Sequence, residues 1–279
     1  MKRRIIKLIP GPLKELLRNI YYIPSDILDL IRTRDGMIPP RSKIFIGRGD
    51  FTKIGEGFKQ HFIDLGNLQP NERVLDVGCG IGRMAIPLTN YLSKDGEYWG
   101  FDIVKSGVDW CQERISPRFK NFHFLHSDVY NKYYNPTGKI QAQDYQFPFE
   151  NESFDFVFLT SVFTHMLPPD VENYMSEISR VLKTGGRCFI TFFIVNEESS
   201  DLVHSGKSTL DFKYDLGGCL STDANTPEGA IAYDEEVVEE LFDKNGLVIT
   251  PSIYYGSWCG RKNFFTYQDL IVAKKSSKV

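Results

Sequence analysis

The sequence predicts an α/β fold: a mostly parallel sheet with helices on both faces and an antiparallel pair of strands at its C-terminal edge. Two observations predict it. From residue 54 onward, apolar runs of strand length alternate with amphipathic stretches of helix length, which is the pattern of strands joined by crossover helices. Near the C-terminus, two apolar runs flank a short glycine-containing turn, which is typical of an antiparallel pair.

The predicted elements follow one another in a regular order. The strands cover 73–78, 97–102, 122–128, 154–160 and 187–195, and the helices cover 83–92, 105–115, 170–182 and 234–246. The last two strands cover 247–258 and 264–275, and the glycines of KTGG, from Lys183 to Gly186, are predicted to end the helix over 170–182. Right-handed crossovers bring the carboxyl ends of parallel strands to one edge of the sheet, where ligands bind.

Composition limits the function classes. The chain has 279 residues, 42% hydrophobic and 25% charged, enough to bury the core of one large domain. Its formal net charge of -3 provides no field that attracts nucleic acid, so no nucleic-acid partner is expected. The five cysteines are scattered and form no C-x-x-C pair. This pattern predicts neither disulfides nor a metal site, and it favours a cytoplasmic location.

Residues 1–54 are predicted to form an N-terminal helical extension of a domain that covers 55–279. The leader is basic, and its apolar side chains are spaced to share one face of a helix: Leu13, Leu16, Leu17, Ile20 and Tyr21. Prolines and lysines interrupt the leader too often for an export signal. Two interpretations stay open, namely a helix that packs on the domain or covers its site, and a helix that makes weak contact with a membrane surface.

The segment 196–233 interrupts the alternation of strands and helices. It is polar, rich in glycine and serine, and shows no clear period. A long connection without secondary structure of its own often has a function, such as covering an active site. We therefore expect this insertion to cover the substrate.

A glycine motif follows the first predicted strand of the domain. The sequence VLDVGCGIG places Gly78, Gly80 and Gly82 at alternate positions after Asp76. Glycines between a strand end and a helix start let the backbone turn sharply and let a ligand lie against bare main chain. The dinucleotide spacing G-x-G-x-x-G fails because Arg83 occupies the third glycine position, and the phosphate-loop spacing is absent as well.

The spacing D-x-G-x-G-x-G resembles the first motif of the class I S-adenosylmethionine-dependent methyltransferases, and the resemblance covers roughly residues 55 to 195. It implies a Rossmann-like, seven-stranded methyltransferase sheet and S-adenosylmethionine as the cofactor. By this resemblance Asp76 lies near the amino group of the cofactor, Asp102 accepts hydrogen bonds from both ribose hydroxyls, and Asp128 accepts one from the adenine amino group. The alternative for Asp102 and Asp128 is a purely structural role as helix caps.

The resemblance also implies the full set of cofactor-binding residues. They are Asp76, Gly78, Cys79, Gly80, Gly82, Asp102, Ile103, Ser127, Asp128, Val129, Thr160 and Phe163. The stretch 147–193 is similar to the fourth strand and following helix of bacterial small-molecule members, so residues 160–165 are expected to border the cofactor sulfur and the acceptor.

Missing motifs narrow the choice of methyl acceptor. The Asp/Asn-Pro-Pro-aromatic motif of enzymes that methylate base amines is absent, because LTSVF stands in its place. No cysteine follows a proline, which disfavours carbon methylation of cytosine. Carboxylates are not clustered after the fourth strand, so no metal is expected. These absences disfavour those acceptors, and the resemblance to bacterial small-molecule members implies a small-molecule acceptor.

An oxygen acceptor benefits from a base that removes its proton. His165 follows the fourth strand and is the first candidate for this catalytic base, and His204 in the insertion is the second. An amine needs less help, since placement supplies much of the acceleration. The resemblance thus implies methyl transfer to an oxygen or nitrogen of a small molecule, with a sugar or natural product as the narrower expectation. The alternative is a non-catalytic cofactor-binding or regulatory protein on the same fold.

Overall fold

The computed structural model describes residues 22–24, 26, 36–47 and 49–276. The apolar face of the leader and its expected membrane contact lie outside these residues. The strands are Arg73–Val77 (β1), Glu97–Asp102 (β2), Phe122–His126 (β3), Phe154–Leu159 (β4), Leu182–Phe192 (β5), Ile194–Val195 (β6), Tyr214–Asp215 (β7), Leu220–Ser221 (β8), Ile231–Asp234 (β9), Leu247–Ile249 (β10) and Asp269–Lys275 (β11). The helices are Phe51–Asp64 (α1), Ala85–Leu88 (α2), Lys105–Arg114 (α3), Pro168–Val181 (α4), Glu197–His204 (α5) and Glu235–Lys244 (α6).

Seven strands form the main sheet in the order β10-β11-β5-β4-β1-β2-β3. The pairs β1–β2, β1–β4, β2–β3 and β4–β5 are parallel. The pairs β5–β11 and β10–β11 are antiparallel. The predicted fold class is therefore confirmed. The strand order reverses at β1, because β2 and β4 lie on its two sides. Ligands of open α/β sheets bind at the carboxyl ends of the strands where the order reverses.

Apolar side chains cover both faces of the sheet. On one face the Phe62 ring of α1 packs on the Phe158 ring of β4, with centroids 4.3 Å apart. On the other face, buried Ile178 and Val181 of α4 belong to the same apolar cluster as Val157 of β4. A strand buried on both faces reads as a continuous apolar run, which is why FDFVFL was recognisable as a strand.

Two predicted helix ends were wrong. The helix expected over 83–92 contains only α2, with turns on both sides; Pro87 has no N–H to donate, and proline is tolerated only in the first turn of a helix. The KTGG segment does not end a helix, because α4 stops at Val181 and β5 begins at Leu182. The glycines instead lie at a bulge, where the register between β4 and β5 shifts after the pairing of Phe154 with Leu182.

The C-terminal pair forms as predicted, but the chain between its strands is much longer than a turn. β10 ends at Ile249 and β11 begins at Asp269. Buried Asp269 holds the connection by accepting hydrogen bonds from Ile194 N at 2.7 Å, Gly256 N at 2.7 Å and Trp258 Nε1 at 2.6 Å. Because these partners are distant in sequence, the alternation of residue types did not reveal the connection.

The insertion has secondary structure of its own, contrary to the sequence prediction. It contains α5 and short strands, and a second sheet forms in the order β6-β9-β8-β7. Phe212 and Ala232 of the insertion pack with Phe193 and Trp258 in a separate apolar cluster. The prediction failed because the strands β7 and β8 have two residues each, too few to show a period. Within the described residues, no helix is long and apolar enough to cross a membrane.

Candidate functional site

The glycine turn follows β1, at the point where the strand order reverses. Gly78, Gly80 and Gly82 have φ angles of +86°, +57° and +83°, in the left-handed region that glycine adopts without strain. Gly78 N and Cys79 N both donate hydrogen bonds to Phe101 O, at 2.9 and 3.0 Å, which ties the turn to β2. The backbone at this turn is therefore held in place, and protein side chains occupy the space where a Cβ would lie, Val162 at Gly78 and Ile46 at Gly80.

The space at Gly78 is as restricted as its conformation. A Cβ atom added there would lie 2.4 Å from Val162 Cγ2. We expect Gly78→Ala to lower the free energy of unfolding by about 1 to 2 kcal/mol from the left-handed backbone alone, with the clash adding to it. Denaturant unfolding followed by circular dichroism measures this loss.

Gly57 provides the matched control, because it lies inside α1 and no atom comes within 4 Å of an added Cβ. Gly57→Ala is expected to raise the free energy of unfolding by about 0.5 to 1 kcal/mol, the usual gain for alanine over glycine in a helix. Equal effects of the two substitutions would show that the turn imposes no special constraint.

Asp102 ends β2 directly beside the glycine turn. Its Oδ2 accepts a hydrogen bond from Gly80 N at 2.7 Å, and its Oδ1 accepts one from Val104 N at 2.7 Å. Burial raises the pKa of this carboxyl, and the backbone N–H donors counteract the shift. Each oxygen keeps a further lone pair, so the carboxylate still suits two ribose hydroxyls.

Asp76 in β1 is almost fully buried and only half satisfied. Tyr98 Oη donates a hydrogen bond to its Oδ2 at 2.5 Å, whereas Oδ1 has no hydrogen-bond partner. Burial raises the pKa of Asp76 to about 8, so the carboxyl is protonated at neutral pH in the protein alone. A nearby cation favours the ionised form and needs an acceptor, and the amino group of the expected cofactor meets both conditions.

The end of β3 joins the same region. Ser127 N donates a hydrogen bond to Asp102 O at 3.0 Å, which places Ser127, Asp128 and Val129 next to the end of β2. The Ser127 hydroxyl is buried and lies 2.6 Å from Tyr145 Oη. Asp128 keeps 40% of its side chain exposed, with Lys139 Nζ 3.7 Å from Oδ2. The Asp128 carboxylate can therefore accept a hydrogen bond from a ligand.

The remaining expected cofactor residues differ in their exposure. Ile103, next to Asp102, and Thr160, at the end of β4, are half-buried. Cys79 is buried, and burial raises the pKa of its thiol well above the ordinary value, so the thiol is a packing group. Phe163 is fully buried, with its ring 5.3 Å from the Phe192 ring. The structure thus places the Phe163 ring in the core.

His165 lies in the 3₁₀ turn Phe163–His165 that follows β4. Its ring is 5.3 Å from the Tyr134 ring, in an edge-on arrangement, and Asn131 Nδ2 donates a hydrogen bond to its backbone carbonyl. The imidazole Nδ1 is 2.7 Å from Glu228 O. Burial lowers the pKa of His165, so the ring is neutral at pH 7, the state that a general base requires.

His204, the second candidate base, is at the end of α5. It is exposed, and its Nδ1 bonds Ser200 O of the same helix at 2.7 Å. Among the described residues, no hydrogen bond or ring contact joins it to the glycine turn or to His165. The structure therefore brings His165, and not His204, close to the ends of β1 and β4.

Three contacts of the site were missed from the sequence. Tyr98 supports Asp76, Val162 covers Gly78, and Glu228 bonds His165 through its backbone. Tyr98 and Val162 look like ordinary core residues, and Glu228 acts through a carbonyl that every residue possesses. No pattern of side-chain types marks such contacts.

Comparison with known proteins supports the resemblance. Residues 75–190 match the family model described as a methyltransferase domain. The sterol 4-C-methyltransferase strm-1 of Caenorhabditis elegans is 25% identical over 81% of this chain. The tRNA N(3)-cytidine methyltransferase METTL2 of Gallus gallus is 26% identical over 68% of it. The chain spans 62% and 46% of the length of these relatives.

Solved structures support the fold. The PH0226 protein from Pyrococcus horikoshii OT3 superimposes with a TM-score of 0.57 and 17% identity, covering 89% of this chain and 99% of that protein. At this level of identity the likeness concerns the fold alone.

Proposed function

We propose that this chain, which belongs to the class I S-adenosylmethionine-dependent methyltransferase family, transfers the methyl group of S-adenosylmethionine to an oxygen or nitrogen of a small molecule. The observation that carries the proposal is the hydrogen bond from Gly80 N to Asp102 Oδ2, with Asp76 near the end of β1, Asp128 after β3 and the neutral His165 after β4. Three carboxylates at three successive strand ends, each with spare acceptor capacity, suit a ligand with an amino group, a diol and an adenine.

Each carboxylate has a separate task in this proposal. Asp102 would hold the ribose hydroxyls and Asp76 the amino group, whose positive charge stabilises the ionised carboxylate. Asp128 would accept a hydrogen bond from the adenine amino group. When bound, S-adenosylmethionine supplies an electrophilic methyl group on a sulfonium.

His165 would act on the acceptor. A neutral hydroxyl is a poor nucleophile, and a base that takes its proton during the reaction typically accelerates the step. Nε2 of His165 is the free ring nitrogen, since Nδ1 bonds Glu228 O. The insertion supports a covering role, because Glu228 belongs to it and water must be kept from the reacting centre.

The residues of the site bear on which acceptor the chain would methylate. A sugar or natural-product hydroxyl fits a site with a base and no grouping of potential metal ligands among the described residues. A carbon acceptor is the second candidate, favoured by the sterol 4-C-methyltransferase relative; it also requires loss of a proton. We propose no nucleic-acid acceptor, because the net charge is -3, even though one relative acts on tRNA.

Titration calorimetry tests the cofactor. We expect S-adenosylmethionine and S-adenosylhomocysteine to bind and NAD to give no appreciable heat, because Arg83 replaces the third glycine of the dinucleotide spacing. Tighter binding of NAD would refute the proposed function. Binding of the cofactor without turnover on any acceptor would favour the non-catalytic alternative.

A further inference from the structure

The insertion and the candidate base meet at a single hydrogen bond. His165 Nδ1 lies 2.7 Å from the backbone oxygen of Glu228. A carbonyl oxygen only accepts hydrogen bonds, so Nδ1 carries the proton. In a neutral imidazole the other nitrogen then has the free lone pair. The contact thus fixes the tautomer in which Nε2 is basic.

The surroundings of the ring keep it neutral. Burial lowers the pKa of His165, and the bond to Glu228 O only partly offsets this shift. Tyr134 is the titratable side chain that faces the ring from the connection after β3. On the side of the insertion stands Glu228 itself, whose Oε2 is buried without a partner and interacts electrostatically with Asp170 of α4.

The segment that carries Glu228 is held from several sides. We call residues 222–230, between β8 and β9, the tip. Ser221 Oγ donates a hydrogen bond to Pro227 O at 3.0 Å, and Lys132 Nζ, from the connection after β3, donates one to Asn225 O at 2.6 Å. Just beyond the tip, Tyr233 Oη bonds Met166 O, next to His165, at 2.6 Å. These hydrogen bonds hold the Glu228 carbonyl next to the His165 ring.

We propose that the tip completes the catalytic base: the Glu228 carbonyl holds the proton on Nδ1, so that Nε2 can take the proton of the acceptor. The inference rests on the proposed function in assigning the base role to His165. The O–H bond of the acceptor breaks, its proton binds Nε2, and the electron pair stays on the acceptor oxygen. The resulting imidazolium keeps its Nδ1 proton on Glu228 O and later returns the Nε2 proton to water.

Glu228 is a positioning residue in this account, because its carbonyl acts through His165. The role makes the insertion part of the site, since a base without the tip loses both its fixed tautomer and its shielding from water. An exposed imidazole in water favours the opposite tautomer, with the proton on Nε2. Displacement of the tip therefore switches the free lone pair to the wrong nitrogen.

Nitrogen NMR of protein labelled with ¹⁵N in its histidines reads the tautomer directly, and His165→Gln identifies the signals of this ring. In the intact protein we expect a protonated Nδ1 and an unprotonated Nε2 at neutral pH. The variant to compare replaces 222–230 by Asn-Gly. Ser221 pairs with Ile231 across β8 and β9, so a two-residue turn can close this hairpin.

Without the tip, the His165 ring should shift toward the Nε2-protonated tautomer, and its pKa should rise toward the ordinary value as burial is lost. The affinity for S-adenosylhomocysteine should stay within about twofold, because the tip touches none of the strand-end carboxylates given a cofactor role. Either an Nε2-protonated ring in the intact protein, or an unchanged ring without the tip, would overturn the proposal.

A milder variant guards against misfolding. Lys132→Met removes the bond to Asn225 O and leaves the tip sequence intact. We expect a partial shift of the His165 tautomer in the same direction. Lys213→Met is the control, since Lys213 pairs with Asp211 inside the insertion. The NMR experiment reports the His165 tautomer without cofactor, and the calorimetric test of the proposed function does not depend on that tautomer. Failure of one proposal can therefore be distinguished from failure of the other.

Discussion

His165→Ala is expected to lower turnover by about 10²- to 10⁴-fold, the usual contribution of a general base. The affinity for S-adenosylhomocysteine should stay nearly unchanged, because the hydrogen bonds of Asp102 and the glycine turn do not involve this ring. Single-turnover kinetics with calorimetry on the same samples separates the two quantities. Because burial lowers the pKa of His165, the wild-type rate should fall only at a pH below the ordinary histidine range, and the variant should lose that acidic limb.

His204→Ala serves as the control for this experiment. His204 is exposed and its ring bonds the backbone of its own helix, at Ser200 O, so its removal should leave turnover within about twofold of the wild-type rate. Near-normal turnover of His165→Ala would contradict the assignment of the base. If His204→Ala were then slow, the role would pass to His204; if both variants were fast, an amine acceptor would be favoured.

Asp102→Ala is expected to weaken binding of S-adenosylmethionine by about 1 to 3 kcal/mol, the scale of hydrogen bonds to charged groups. The loss has two sources, since Asp102 would hold the ribose and also anchors Gly80 N and Val104 N. Calorimetry of the variant against the wild-type protein measures it.

Asp109→Ala is the matched control for Asp102→Ala. Asp109 lies in α3 beside the site, is partly exposed, and pairs with Lys105 Nζ at 2.6 Å. Its removal should change the affinity by less than about 0.5 kcal/mol. Equal affinity of Asp102→Ala and Asp109→Ala would remove Asp102 from the cofactor site and leave its role as a cap on the backbone after β2.

The main sheet was predictable because its signals are local. FDFVFL and RVLDV are apolar runs of strand length, and glycines or turns separate them from amphipathic helices. The second sheet was not predictable, since a two-residue strand such as Leu220–Ser221 carries no period and exists only through its pairing with Ile231 and Ala232. The bulge near Gly185 likewise depends on the register of the neighbouring strand.

Some residues of the candidate site were likewise predictable from the sequence, and others were not. Gly78 and Gly80 were found because their spacing after β1 marks a turn with left-handed backbone angles. Asp102 was implied by the family resemblance, and the parallel pairing of β1 with β2 brings its carboxylate to Gly80 N. The contact between His165 and Glu228 joins residues 63 positions apart through a carbonyl, so no residue type announces it. Glycine spacing and acidic side chains are visible in the sequence, whereas a backbone carbonyl that contacts a distant side chain is not.

Methyl transfer from S-adenosylmethionine is the activity that we propose for this chain. The most direct test incubates the protein with S-adenosylmethionine and an extract of small molecules, follows the formation of S-adenosylhomocysteine, and identifies the product by mass. The account predicts S-adenosylhomocysteine together with a small molecule heavier by one CH₂ group, and neither should form with boiled protein. Tight binding of S-adenosylmethionine without any S-adenosylhomocysteine, across extracts that contain sugars, natural products and amines, would contradict it.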